Sequence, residues 1–202
     1  MNARFKVAGI VLAAGRSTRM GLTKQLLPFR GRTVLEWVVD NALASKLQPV
    51  IVVIGHEAEA VKPLMAGKAV TTVVNCCYET GQSSSLKAGL QELAGDCDAA
   101  LFLLGDQPLV TPETINLILD AYNDSPSPIV MPTFDGRRGN PALFDRTTFP
   151  RINALSGDCG ARALFTEYEG EIRSVEVHTS AIHFDLDTIV DYHRLLKESE
   201  GW

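Results

Sequence analysis

The chain has 202 residues, 46% of them hydrophobic and 21% charged, with a formal net charge of −5. That is the composition of an ordinary folded domain with room for one full core. The acidic balance excludes a nucleic-acid binder that works through bulk positive charge, but it allows a phosphate ligand held by a local cluster of cations and backbone N–H groups. No apolar run approaches the length of a membrane span, and Met1–Val7 lead into no long apolar segment with a small-residue cleavage site. The four cysteines, Cys76, Cys77, Cys97 and Cys159, show neither CxxC nor zinc-ligand spacing. The expectation is a reduced, cytoplasmic protein forming one domain over residues 1–202, with no membrane and no nucleic acid among its partners.

The first predicted element is the strand Val7–Ala13, apolar at nearly every position and so suited to a parallel sheet buried on both faces. It runs into the loop Leu12-Ala13-Ala14-Gly15-Arg16-Ser17-Thr18-Arg19-Met20-Gly21-Leu22-Thr23-Lys24. Small residues let backbone N–H groups approach a phosphate, and Arg16, Arg19 and Lys24 supply the counter-charge. Open α/β sheets bind ligands at this end of a strand. The loop is neither a Walker A, because Leu22 follows Gly21, nor a Rossmann fingerprint, because Gly15-Arg16-Ser17 breaks GxGxxG. Leu12, Ala13, Ala14, Gly15, Arg16, Ser17 and Lys24 are candidate phosphate-binding residues, with Arg19 as a further cation; the resemblance given below makes the phosphate a nucleotide's. The plainer alternative is a βα connection rich in Gly and Arg.

Val34, Val38 and Ala42, flanked by Leu35 and Leu43, predict the first helix. Strands follow at Val50–Ile54 and Val70–Val74. Asn75 and Gly81-Gln82-Ser83-Ser84-Ser85-Leu86 then open a helix predicted over Ser83–Leu93. Asn75, Gln82, Ser83 and Ser84 offer donors to a base, ribose or phosphate; helix capping by Ser83 or Ser84 accounts for the same residues equally well. The strand Ala99–Leu104 ends in Gly105-Asp106-Gln107-Pro108. Asp106 thus stands at the sheet edge beside the first loop, suited either to hold Mg²⁺ against phosphates or to cap a turn. Thr111-Pro112 starts a helix carried by Ile115, Ile118, Leu119 and Tyr122.

This alternation predicts an α/β sheet with right-handed crossovers. Beyond Asn123–Pro128, too short to separate domains, the pattern changes. Strands Ile129–Met131 and Pro141–Phe144 flank the loop Phe134–Asn140, and strands Ile172–Val177 and Ala181–Phe184 precede a helix at Ile189–Leu196. A mainly parallel sheet with an antiparallel insertion near the C-terminal third is expected. Asp185 and Asp187 alternate with Phe184 and Leu186, which puts both carboxylates on one face of an extended segment. His56, His178, His183 and His193 are scattered without ligand spacing.

The first loop resembles the signature of the GT-A-like nucleotidyltransferases: LAAG or LAGG, a spacer with Arg, then Gly-x-x-Lys, continued here by Lys24-Gln25-Leu26-Leu27-Pro28 and Thr33-Val34-Leu35-Glu36. "LGDQPL" is similar to that superfamily's metal-binding strand end. The Gly81–Leu86 stretch is similar to a GxxxSL segment near the base. The segment Asp185-Leu186-Asp187-Thr188 is similar to a D-x-D-T-P-E-D run that supplies a second acidic metal ligand, though this chain lacks the Pro-Glu. Arg137–Ala142 and Gly157-Asp158-Cys159-Gly160-Ala161-Arg162 resemble the acceptor-side elements of molybdopterin cytidylyltransferases. Taken in order, from Ala8 to about Tyr192, these motifs resemble the molybdenum cofactor cytidylyltransferase family.

The resemblance implies a Rossmann-like, GT-A-like nucleotidyltransferase domain that moves CMP from CTP to a molybdopterin-type phosphate acceptor and releases pyrophosphate. It implies Mg²⁺ held by Asp106 and, of the later pair, preferably Asp187, with Lys24, Arg19 and Asp106 as catalytic residues. Arg137, Arg138 and Asn140 become candidates for the acceptor phosphate, with solvated loop-tip arginines as the alternative. CTP is chosen over GTP because guanylyl-transferring relatives tend to read LAGG. A molybdenum hydroxylase or its chaperone is the implied protein partner. Two other readings stand beside this one. The first is a guanylyl or sugar-phosphate nucleotidyltransferase of the same scaffold, differing after Ile129. The second is a non-catalytic nucleotide-binding chaperone, against which the presence of Lys24, Asp106 and Asp187 argues.

Overall fold

The computed structural model describes residues 5–17, 20–93 and 95–198. Its strands are β1 (Val7–Ala13), β2 (Pro28–Phe29), β3 (Arg32–Thr33), β4 (Val50–Ile54), β5 (Thr71–Val74), β6 (Ala99–Leu104), β7 (Ile129–Phe134), β8 (Arg137–Arg138), β9 (Ala142–Asp145) and β10 (Ile172–Glu176). The α-helices are α1 (Val34–Ala44), α2 (Ala58–Val61), α3 (Gln82–Gln91), α4 (Pro112–Asp124), α5 (Phe149–Ala154) and α6 (Ile189–Glu198). Eight strands form one sheet in the order β10-β7-β9-β6-β1-β4-β5, with β8 paired to β7, while β2 and β3 make a separate hairpin. The pairs β1–β4, β1–β6, β4–β5 and β7–β10 are parallel; β9 is antiparallel to both β6 and β7. A single α/β domain with a mainly parallel sheet and an antiparallel insertion is therefore present, as the strand–helix alternation predicts.

The continuous apolar runs make sense because each central strand feeds two cores. Val11 and Ala13 of β1, Val52 and Ile54 of β4, and Leu101 and Leu103 of β6 pack on one face, against α1 and α4. Ile10, Ile51, Val53, Ala100 and Phe102, at the alternating positions, pack on the other, with Leu86 and Leu90 of α3 and Ile152 of α5. Helix α3 lies so close to β1 that a Cβ on Gly89 would stand 2.5 Å from Ile10 Cγ2. The start of α4 follows the predicted chemistry, and α1 starts in a related way. Thr33 and Glu36 close a reciprocal capping box, and Thr111 accepts from the backbone N–H of Thr114, with Pro112 in the first turn.

One predicted strand is overturned. Ala181–Phe184 does not join the sheet: Ser180–His183 makes a single 3₁₀ turn, started by Thr179, whose hydroxyl accepts from Ala181 N–H. Ala181 and Ile182 are buried, and the carbonyl of Ile182 accepts from the N–H of Asn140 at 3.0 Å. A short, mostly apolar run such as Ala181-Ile182-His183-Phe184 satisfies a buried turn as well as a strand. The turn delivers Phe184 and Leu186 to a third small core with Phe29, Val34 and Leu195, and this core ties the hairpin, α1 and α6 together. Among the described residues no helix is long and apolar enough to cross a membrane.

Candidate active site

Strands β1 and β6 are parallel neighbours with Leu12 opposite Leu104, so the loops that follow them leave the sheet at one edge. Gly105 N–H donates to the Leu12 carbonyl at 2.9 Å and fixes the two loop starts side by side. A cavity of about 810 Å³ opens there, lined by Ala14, Gly15, Arg16, Lys24, Asp106 and Asp187 among others. Its size suits a small-molecule ligand.

Lys24 stands in a 3₁₀ turn, Lys24–Leu26. Its backbone N–H donates to Ser17 Oγ at 3.2 Å, while Ser17, in the left-handed region at φ 53°, also bonds the buried Gln25. The Lys24 ammonium lies 2.5 Å from Asp106 Oδ2 and 3.2 Å from Asp187 Oδ1. The side chains of Lys24 and Asp106 are only 17% and 10% exposed, so this pair is shielded from the screening that weakens surface ion pairs. Burial works against the ammonium, but the two carboxylates outweigh it and hold Lys24 above its ordinary value. Burial pushes the Asp106 carboxyl up, against the pull of Lys24 and with help from the nearby Asp185 charge.

The burial of Phe184 and Leu186 turns Asp185 and Asp187 towards the cavity, which both line. They share a face, as the alternation predicts, but differ in partners: Asp187 meets Lys24, and Asp185 Oδ1 accepts from Gln107 Nε2 at 2.7 Å. Gln107 is 3% exposed, and its Oε1 is buried without a hydrogen-bond partner among the described residues. Thr188 starts α6 reciprocally with Asp191.

The opposite wall comes from the start of α3 and the Gly157–Arg162 loop. Gly81, at φ 109°, lets them meet: a Cβ there would stand 2.3 Å from Asp158 N. Ser83 Oγ donates to the Gly157 carbonyl at 2.8 Å, and Asn75 Nδ2 donates to Ser84 Oγ at 2.8 Å and Ser85 Oγ at 3.0 Å. Asn75, Ser83 and Ser84 thus hold the wall together and do not line the cavity, whereas Gln82 and Ser85 do. Ser85 is the serine of the GxxxSL pattern, so the spacing carried a signal for it.

The other expected site residues divide in the same way. Leu12, Ala14, Gly15 and Arg16 line the cavity; Ala13 faces the α1/α4 core instead, and Ser17 acts behind Lys24. Arg16 is paired with Glu79 and lies over the Tyr78 ring, 5.7 Å from its centroid. Arg19 lies outside the described residues. On the acceptor side Asn140 lines the cavity, but Arg137 and Arg138 do not. They stand on β8, where Arg138 makes two bonds to Glu169 at 3.0 and 3.1 Å and the Arg137 carbonyl accepts from His183 Nε2. This short strand pairs with β7, and of the acceptor-side arginines it is Arg162 that lines the cavity.

No group of three or more Asp, Glu, His or Cys side chains gathers as a metal cage among the described residues. The donor set fits a hard divalent ion of another kind. Asp106 and Asp187 converge on one cation, the Lys24 ammonium, and Mg²⁺ is commonly held by one or two carboxylates plus substrate phosphates.

Comparison with known proteins shows the family. Residues 9–172 match the MobA-like NTP transferase domain family. The chain is 31% identical to "Nicotine blue oxidoreductase" of Paenarthrobacter nicotinovorans, over 94% of this chain and 96% of that one. It is 30% identical to "Purine catabolism protein PucB" of Bacillus subtilis, over 91% and 93%. It superposes on Rv0371c of Mycobacterium tuberculosis with a TM-score of 0.85 at 33% identity, covering 96% of this chain and 100% of that one. A second structure of Rv0371c, in complex with manganese, gives a TM-score of 0.82 at 34% identity, covering 95% and 98%. By fold, motif order and matched length, the chain belongs to the MobA-like NTP transferase family of nucleotidyltransferases.

Proposed function

We propose that the protein transfers CMP from CTP to the terminal phosphate of a molybdopterin-type acceptor, releasing pyrophosphate, with Mg²⁺ as cofactor. The observation that carries this reading is the convergence of Lys24, Asp106 and Asp187 beside the Gly15-Arg16 loop, at the mouth of parallel strands β1 and β6. The acceptor phosphate, already ionised near neutral pH, attacks the α-phosphorus in line, so the protein needs no nucleophile of its own. Lys24, with Arg16 and Arg19 of the same loop, neutralises the triphosphate and the departing pyrophosphate. For Arg16 this means exchanging Glu79 for phosphate. A divalent ion held by Asp106 and Asp187 supplies further charge neutralisation at the phosphates. Fixing the two substrates in one walled cavity accounts for much of the remaining rate.

CTP is favoured over GTP by the family pattern at Leu12-Ala13-Ala14-Gly15; a base pocket framed by Ala14 and Gln82, which both line the cavity, would, if fitted to a pyrimidine, exclude a purine and leave its polar edge unpaired. A preference of tenfold or more, about 1.4 kcal/mol, is expected. Ala14→Gly loosens it without removing activity. The acceptor assignment rests on the Asn140-Pro141 turn and the Asp158–Arg162 segment, both of which line the cavity in part. The test is pyrophosphate release with each of the four NTPs, with and without molybdenum-loaded molybdopterin. CTP with that acceptor gives the fastest release. Equal use of CTP and GTP overturns the cytidylyl assignment, and release that requires a sugar phosphate instead overturns the acceptor.

A further inference from the structure

Lys24 is not displayed as a cation waiting for a phosphate. Its ammonium sits 2.5 Å from Asp106 Oδ2 and 3.2 Å from Asp187 Oδ1, between the two carboxylates assigned above to the divalent ion. A divalent ion bound about 2.1 Å from the same oxygens would face a second positive charge at close range. The ammonium also cannot simply be left behind, because a mostly buried lysine stripped of its carboxylates is an uncompensated charge. Asp185, the other carboxylate facing the cavity, has one oxygen bound by Gln107, and it raises the negative charge around Asp106 rather than offering Lys24 a bond. The triphosphate of the nucleotide is the anion that gives Lys24 another partner on the same side of the cavity, next to Gly15 and Arg16.

We infer that Lys24 is a placeholder for the divalent ion: ammonium and ion compete for Asp106 and Asp187, so ion binding depends on the nucleotide that draws Lys24 away. This rests on the metal assignment of the proposed function. It carries a consequence that a purely phosphate-binding lysine lacks. Removing Lys24 strengthens binding of the ion alone, although it weakens catalysis. By linkage the nucleotide is bound more tightly with the ion than without it, and the size of that coupling falls when Lys24 is removed. The protein thereby avoids holding a divalent ion unproductively before the substrate arrives.

The test is Mn²⁺ binding, read from the electron paramagnetic resonance signal of free Mn²⁺, for wild type, Lys24→Met, Lys24→Gln and Asp106→Asn. Without nucleotide, both lysine variants bind Mn²⁺ about tenfold more tightly than wild type, within the usual range of such couplings, and Asp106→Asn loses the site. Lys24→Gln guards against a folding defect, because its amide still donates to Asp106. Equal or weaker Mn²⁺ binding by the lysine variants, with Asp106→Asn still abolishing it, overturns the placeholder and leaves the metal assignment standing. Unchanged binding by Asp106→Asn overturns both. A readout on the unmodified protein is the ¹⁵N resonance of the Lys24 side chain. Mg²⁺ at a concentration that half-saturates Lys24→Gln fills only about a tenth of the wild-type sites and leaves this resonance largely in place, and adding CTP shifts it. Displacement by Mg²⁺ alone overturns the proposal.

Discussion

The two walls of the cavity are built from similar polar residues but use them in opposite ways. On the wall formed by Asn75, Gly81–Ser85 and Gly157–Asp158, hydroxyls and amides bond mainly to one another and to backbone carbonyls. The side chains of Asn75, Ser83 and Ser84 are engaged internally and so fix the shape of the wall, while Gln82 and Ser85 face the cavity. On the wall formed by Lys24, Asp106 and Asp187, with Gln107 behind it, charge is buried against charge, burial pushes the Asp106 carboxyl up, and Gln107 Oε1 has no hydrogen-bond partner among the described residues. A fold selected only for stability would not keep such groups together, because apolar residues of similar size usually do at least as well. The contrast teaches that the two clusters differ in partners and burial, and it is on that difference that the charged wall is proposed as the reactive one.

Substitutions on the two walls should therefore fail differently. The largest expected effect is on the charged wall. Lys24→Ala lowers kcat/KM for pyrophosphate release at least about a hundredfold, and Lys24→Arg recovers only part, since a planar fork replaces a compact charge. Unchanged kcat and KM in Lys24→Ala would break the contrast at its strongest point. On the other wall Gly81→Ala combines a left-handed backbone with a collision against Asp158. It lowers stability by about 2–3 kcal/mol, read as a reduced urea midpoint.

Ser83→Ala sharpens the comparison because the two roles predict different readouts. As a brace for Gly157 it costs about 1 kcal/mol of stability and leaves the KM for nucleotide near wild type. A raised KM with unchanged stability would move Ser83 back to the ligand. A pair far from the cavity gives the smallest effect. The buried Tyr122 hydroxyl donates to Asp145 at 2.5 Å, and Tyr122→Phe costs about 1 kcal/mol at neutral pH. Burial, then the Asp145 bond, raises the ionisation of Tyr122 well above its ordinary value. Its contribution is therefore complete below the unfolded tyrosine pKa of about 10 and is lost as pH rises beyond that. Wild type thus loses stability above pH 10 more steeply than Tyr122→Phe, as thermal unfolding across that range would show.

The charged wall was legible in the sequence to the extent that it depends on strand ends. Asp106 follows an apolar run, and the Gly15–Lys24 loop follows another, so the parallel sheet brings them together. The Asp185/Asp187 alternation was readable for the same reason. Gln107 and Gln25 were not, because an amide's role depends on which partner the folded chain brings to it. Asn75, Ser83 and Ser84 have the composition of ligand contacts, and the sequence does not show the internal hydrogen bonds that engage them behind the cavity surface. Arg138 looked available because nothing in the spacing of Arg137–Asn140 pointed to Glu169, 31 residues away. The turn at Ser180–His183 reads as a strand because a short apolar run carries no period.

The central claim is that the Lys24–Asp106–Asp187 cluster is the reactive end of the cavity, and Asp106→Ala tests it most directly. Pyrophosphate release from CTP in the presence of Mg²⁺ and molybdenum-loaded molybdopterin should be compared with wild type, after circular dichroism has shown the variant to be folded. The account predicts a loss of at least about a hundredfold with the secondary structure intact. A folded Asp106→Ala protein releasing pyrophosphate at a near-normal rate would contradict it.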